Sequence, residues 1–386
     1  MACLLKLPAN GAKGIITVTT QERDFQIAKD RSLRNRMLGM KDRWIFGLHH
    51  NWHDHNFNYD ELFDFSMAGD GDLVEVNNKE FSRISLDACN FVPPFFFKKS
   101  GEKFWDILYV ARAVNFKNIP EFFRVIKNLY TRGHLLRVLF LCPVPPFDPN
   151  DKKSVFYGIR EEYDRIFTED EKNIFTLLTM DYRYPFPLDL ESLSFFYRSS
   201  KVFVHTADDE RRCRVAAYAW SSGLPVIGMD CVGSLLPESL RRAPYFYKAN
   251  SHNDFEGQII KSLSEISPHE WFDDEINRVF KESEVCSKLA EELEKMATSK
   301  NEMYCPGGLF TNNLSIRLGR HHNGVSGPNS VAIKLDQFLA RVDNPSIKVQ
   351  NDVERAFVEE DTEGMDMKKS GVIKRLVNRM FKNDKK

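Results

Sequence analysis

The sequence predicts an α/β protein of two domains with parallel sheets, a small first layer and a doubly wound second domain. Three observations predict it. Apolar runs of strand character alternate with amphipathic segments of helical length from about residue 101 to 300, which implies crossover connections and a parallel sheet. The stretch "NFVPPFFFKKSGEK" carries a Pro pair and a Ser-Gly, punctuation that divides the chain near residue 99. The 386 residues are 42% hydrophobic and 28% charged, enough apolar material for two cores.

In the first domain, residues 1–99, "GIITVTT", "RWIFGLHHNW" and "GDLVEVNN" read as buried strands separated by helix-compatible stretches such as "RDFQIAKDRSLRNRMLGM". The second domain, residues 100–343, opens with the strand "WDILYVARAV". The helix "NIPEFFRVIKNLYTRG" follows, its apolar residues Phe122, Phe123, Ile126, Leu129 and Tyr130 at helical spacing and Gly133 as its stop. Then come the strand "LLRVLFLCPVPP", the helix "SVFYGIREEYDRIF", the strand "NIFTLLTM" and the helix "DLESLSFFYRSS", for which Asp189 is a candidate N-cap. The strand "KVFVH", a short helix, the turn "SSGLP" and the strand "VIG" complete one more βαβ unit. "HEWFDDEINRVFKESEVCSKLAEELEKMA" reads as one long charged helix. Residues 344–386 form a polar tail, acidic from Asp352 to Asp366 and basic from Lys368 onward.

A formal net charge of −1 gives no global attraction to nucleic acid, which is not an expected partner. The seven cysteines are scattered and include no C-x-x-C pair, against a zinc site or redox dithiol. The opening "MACLLKLPANGAKG" has too short an apolar core for a signal peptide, and no run of about 18 apolar residues would span a membrane. The cytoplasm is the expected compartment.

Chemistry gathers where two strands of the second domain end. After the first, Arg112 and Lys117 precede a helix, a combination suited to an anion: a planar fork and a point charge beside a helix N-terminus. Two solvated loop cations are the plainer alternative. After "KVFVH" come Asp208, Asp209 and Glu210, which could accept hydrogen bonds from sugar hydroxyls or cap the next helix. Gly223 and Pro225 shape the turn into the following strand, and the backbone around Gly233 could cradle a phosphate oxygen.

Together these segments resemble the C-terminal domain of GT-B glycosyltransferases of family four (glycosyl transferases group 1). "DILYVARAVNFKNIPEFF" is similar to the strand, turn and helix in which that family holds the donor diphosphate with Arg and Lys, here Arg112 and Lys117. "DLESLSFFYRSSKVFVHTADDERRCRVAAYAWSSGLPVIGMD" resembles its donor-site signature, a first Glu followed eight positions later by a second, then small residues and Gly-x-Pro-Val. Counted back from Gly223, the first falls on Glu210, on the side of the transferred sugar. The second falls on Tyr218, where the family grips the nucleotide ribose with a carboxylate. Tyr218, with one hydroxyl, cannot reproduce that grip. Ala111 and Asn118 depart more mildly, each standing where the family commonly has Gly.

The resemblance implies a hexosyl-type transferase moving sugar from a nucleotide-sugar donor to an acceptor hydroxyl on a glycan, polysaccharide or glycolipid. It also implies two Rossmann-like domains of GT-B type with a cleft between them, the N-terminal one reduced, together with retention of configuration and no cofactor or metal requirement. The family carries an active-site His after an apolar strand of its first domain, so His50 in "WIFGLHHNW" is the first candidate and His53 the next. The run His49, His50, His53 and His55 could instead bind a metal or form a solvated loop. In the tail, "GVIKRLVNRMFK" places an apolar stripe among Lys and Arg, readable as a membrane-surface helix within 371–386, a packed helix or a disordered segment. Two rivals stand beside transfer: a GT-B-like scaffold that binds without catalysis, and a viral or phage DNA-modifying glycosyltransferase.

Overall fold

The computed structural model describes residues 2–49, 60–67, 82–98, 102–143, 154–179, 190–265, 272–306 and 335–342. The expected strand at "GDLVEVNN", His50, His53, His55, Asp189 and the tail helix lie outside them. Residues 1–328 form one compact unit and 329–386 a second, of which the helix Leu335–Val342 is described.

The first unit is α/β, with two sheets. In the first sheet, β1 (Cys3–Lys6), β2 (Gly14–Thr19), β3 (Trp44–His49), β4 (Phe65–Met67) and β5 (Ser82–Ile84) lie in chain order. The short helix α1 (Thr20–Glu22) and α2 (Arg31–Gly39) connect β2 to β3. The β2–β5 pairs are parallel, but β1 runs antiparallel to β2, so this sheet is not parallel throughout. The seven residues between β1 and β2 are too few for a crossover, which a parallel pair would need.

The second sheet follows the chain as β6 (Trp105–Val110), α3 (Ile119–Thr131), β7 (Val138–Cys142), α4 (Val155–Ile166), α5 (Glu169–Lys172), β8 (Phe175–Thr179) and α6 (Leu190–Arg198). It continues through β9 (Ser200–His205), α7 (Arg214–Ser221), β10 (Val226–Met229), β11 (Phe246–Ala249) and α8 (Phe255–Glu265). All its pairs are parallel, in the order β11-β10-β9-β6-β7-β8. Counted from β6, this is the doubly wound order 3-2-1-4-5-6, whose direction of winding reverses between β6 and β9. Both faces are covered. One carries Phe122, Phe123, Ile126 and Leu129 of α3 with Ile259 of α8, and the other carries α7 with Val92 and Phe96 from the segment after the first sheet.

The expected single charged helix is two, α9 (Phe272–Phe280) and α10 (Glu282–Ser299), parted at Lys281 in extended backbone. The two halves serve different cores. Phe280 stacks on Trp220 beneath the second sheet, at 5.9 Å and 8°. Val285, Leu289, Leu293 and Met296 cover the first sheet against Leu5, Ile15, Ile45, Phe65 and Ile84. One straight helix could not do both. Glu292 accepts from Ser85 Oγ at 2.7 Å, and past α10 Glu302 pairs with Lys13 at 2.6 Å, tying the return to the sheet's near edge.

Candidate functional site

The site is assembled where β6 and β9 end side by side. The turn after β6 is pinned to β9: Tyr109 Oη donates to the Lys117 carbonyl at 2.8 Å, and Thr206 Oγ1 donates to it at 3.0 Å. Asn118 then adopts the left-handed conformation, φ 49°, which Asn tolerates better than most residues, and α3 begins immediately after it. These constraints turn the Lys117 side chain inward, where it is buried over the Phe116 ring at 5.1 Å.

There the Lys117 ammonium meets Glu210, 93 positions away in sequence, in a nearly buried ion pair. His205, the last residue of β9, bonds through Nε2 to the same carboxylate oxygen, Oε2, and lies 3.4 Å from Lys117 Nζ. With the proton on Nε2, the His205 ring donates to the carboxylate; its buried Nδ1 has no hydrogen-bond partner among the described residues. The ring lies between Tyr109 and Phe203, at centroid distances of 5.6 and 5.9 Å. Burial holds the His205 ring below its ordinary pKa despite the carboxylate beside it. For Glu210, burial favours the neutral acid, but His205 and Lys117 outweigh it and hold the carboxyl down, to about 2.

Of the other expected site residues, Arg112 is exposed beside this trio in sequence, and its side chain makes no ion pair among the described residues. Asp208 accepts from Asn118 Nδ2 and approaches His252 Nε2 at 3.0 Å, while Asp209 is exposed, 3.7 Å from Arg211. Neither aspartate caps α7. That helix begins only at Arg214, with Cys213 as its N-cap, too far along the chain for either carboxylate to serve.

Tyr218 lies in the core rather than on a binding surface: its ring stacks on Phe96 at 4.1 Å and 13° and meets Tyr197 edge-on at 6.1 Å. Gly223, φ 73°, ends α7, with Leu224 N–H bonding back to the Ala219 carbonyl at 2.9 Å. Pro225 leads into β10, and its carbonyl accepts from Phe203 N–H at 2.9 Å. Gly233 sits in a tight turn against Phe246, whose ring a Cβ would meet at 2.8 Å.

Sequence reasoning did not single out His205, Arg212 or Cys231. Arg212, buried with φ 55°, pairs with Asp87 at 2.9 Å, and its N–H donates to Ser234 Oγ at 2.8 Å. Cys231 accepts from Glu210 N–H at 3.5 Å, so the acidic corner rests on the turn after β10. Ligand atoms of His205, Glu210 and Cys213 lie within 4.8 Å of one another, a set suited in type to a zinc-like ion. The Lys117 ammonium already supplies the positive charge at that carboxylate.

No family model matches the chain, and no curated protein matches it. Solved structures resemble it at low identity. The GtfA/B complex is 12% identical at a TM-score of 0.45, over 69% of this chain and 55% of that one. An α,α-trehalose-phosphate synthase (UDP-forming) from Burkholderia vietnamiensis is 14% identical at 0.47, over 70% of each chain. A glycosyltransferase from Rickettsia africae is 11% identical at 0.46, over 68% of this chain and 73% of that one. The chain spans about half the length of the first structures it matches. Among the described residues no helix is long and apolar enough to cross a membrane.

Proposed function

We propose that this protein is a glycosyltransferase that takes a sugar from a nucleotide-sugar donor and passes it to an acceptor hydroxyl, on a glycan, polysaccharide or glycolipid. The observation that carries the reading is the meeting of Lys117 and Glu210 between β6 and β9. Ligands of doubly wound sheets bind at such a reversal of strand order, beyond the carboxyl ends of the strands. A cation there, with Arg112 on the same turn, suits a diphosphate leaving group, whose developing charge is the main thing to be stabilised. Glu210 orients the donor sugar, and no metal is needed for charge that Arg and Lys supply. Residues 1–99 form the acceptor side, with His50 contributing there, and residues 100–343 the donor side. The configuration of the sugar is retained, as in the family that the sequence resembles.

A second reading, a binding scaffold without transfer, is favoured by Tyr218, whose burial leaves nothing at that position to grip a ribose. A panel of nucleotide-sugars separates the two. Transfer predicts thermal stabilisation by at least one donor and slow release of its nucleotide, both lost in Arg112→Ala with Lys117→Ala while the fold persists. The absence of both stabilisation and released nucleotide with every donor supports the scaffold and overturns transfer.

A further inference from the structure

We propose that Glu210 is a resident counter-anion of Lys117, which an incoming diphosphate must displace, and that His205 is the positioning residue that keeps the displaced carboxylate. The inference rests on the donor-site reading above and adds how that site is opened.

Lys117 Nζ and His205 Nε2 converge on one atom, Glu210 Oε2. The side chains of Lys117 and Glu210 are 7% and 14% exposed, so the ion pair closes the cation off from water as well as from ligand. An anion therefore cannot add to a free ammonium here; it has to replace a carboxylate. The main chain at Lys117 is fixed by Tyr109 and Thr206, but four methylenes let the ammonium swing outward to a ligand. Arg112, exposed on the same turn, is placed to meet the anion first.

Displacement alone would strand a largely buried carboxylate, which is costly. His205 removes that obstacle. Its ring is wholly buried between Tyr109 and Phe203, so it stays in place when the lysine moves and retains its bond to Oε2. The Glu210 backbone is held independently by its N–H on Cys231. Lys117 is thus the moving member of the trio, and Glu210 and His205 are the fixed ones.

Calorimetric titration with inorganic pyrophosphate, without metal, tests this on the full chain. Removing one partner of a close charge pair releases the other, so Glu210→Gln should bind pyrophosphate about tenfold more tightly than the parent. Glu210→Ala should shift affinity the same way if the Gln variant folds poorly, as judged by melting. Lys117→Met should abolish binding in either background. His205→Leu should weaken binding, because Glu210 then has only Lys117, and adding Glu210→Gln should erase that loss. A merely structural histidine would leave the loss in the double variant, and that result overturns the positioning role. Unchanged or weaker binding by both Glu210 variants overturns the counter-anion role alone, provided that the parent binds. If neither parent nor variants bind pyrophosphate, the donor-site reading falls as well.

Discussion

Arg212, at the corner after β9, and Asp87, just past β5, form an ion pair at 2.9 Å with both side chains buried. The pair joins the two sheets next to the candidate site. Asp87 also accepts from Cys89 N–H at 2.8 Å, and Arg212 holds a backbone conformation that few residues other than glycine adopt. Removing either partner takes the opposite charge away from a buried ion. Asp87→Ala or Arg212→Ala should each cost about 3–5 kcal/mol, and the double variant less than their sum, measured by urea denaturation.

Stability should fall in acid for a definite reason. Burial opposes ionisation of Asp87, but Arg212 and the Cys89 N–H hold its carboxyl below the usual range; Glu210 is held down to about 2. Both native values lie below those of the unfolded chain, ~3.9 for Asp and ~4.3 for Glu. Their contribution is therefore complete above about pH 5 and is lost as the pH drops through the native values. Urea midpoints taken from pH 6 to pH 3 should decline, and Glu210→Gln should flatten the decline. An equal slope in that variant would show that Glu210 carries none of it.

Restoring the carboxylate that the family resemblance calls for should not restore a ribose grip. The Tyr218 ring is stacked on Phe96 in the core. Tyr218→Ala should cost about 3–5 kcal/mol, the range for deleting a buried aromatic side chain. Tyr218→Glu should cost more, since it buries a charge, and should gain no nucleotide affinity. Thermal melting with and without nucleotide checks both.

Gly233 gives a purely steric case. With the Phe246 ring 2.8 Å from where a Cβ would stand, Gly233→Ala should destabilise by about 1–3 kcal/mol, as overpacking does. Trimming the ring in the same chain, by Phe246→Leu, should make the glycine substitution cheaper than in the parent. Equal costs in both backgrounds would mean that the ring is not the obstacle.

The second sheet was legible because its strands and helices alternate at lengths that apolar periodicity reports, and Arg112, Lys117 and Glu210 stand at strand ends, where a parallel sheet collects its polar groups. What could not be read was how those groups pair. Lys117 looked like an open cation because nothing local announces a carboxylate 93 positions on. His205 could have been found as a polar residue closing the otherwise apolar run "VFVH". Asp87 and Arg212 carry no comparable mark, since an ion pair across 125 positions leaves no period in the sequence. The break at Lys281 was hidden for another reason: both halves are amphipathic helices, and only the two cores they face distinguish them. Strands β4 and β5, three residues each, are too short for alternation to show.

The return of α10 to the first sheet has a consequence for biosynthesis. Leu5, Ile15, Ile45, Phe65 and Ile84 share a core with α10 residues that are translated about 200 positions after β5. At ribosomal rates of about 5–20 residues per second, that side of the sheet waits roughly 10–40 s for its cover. During that interval the nascent chain presents an apolar surface for which its own partner does not yet exist. The second sheet meets most of its flanking helices as it is made. Newly synthesised chains are therefore most exposed to chaperone capture, or to mispairing with one another, through the open side of the first sheet.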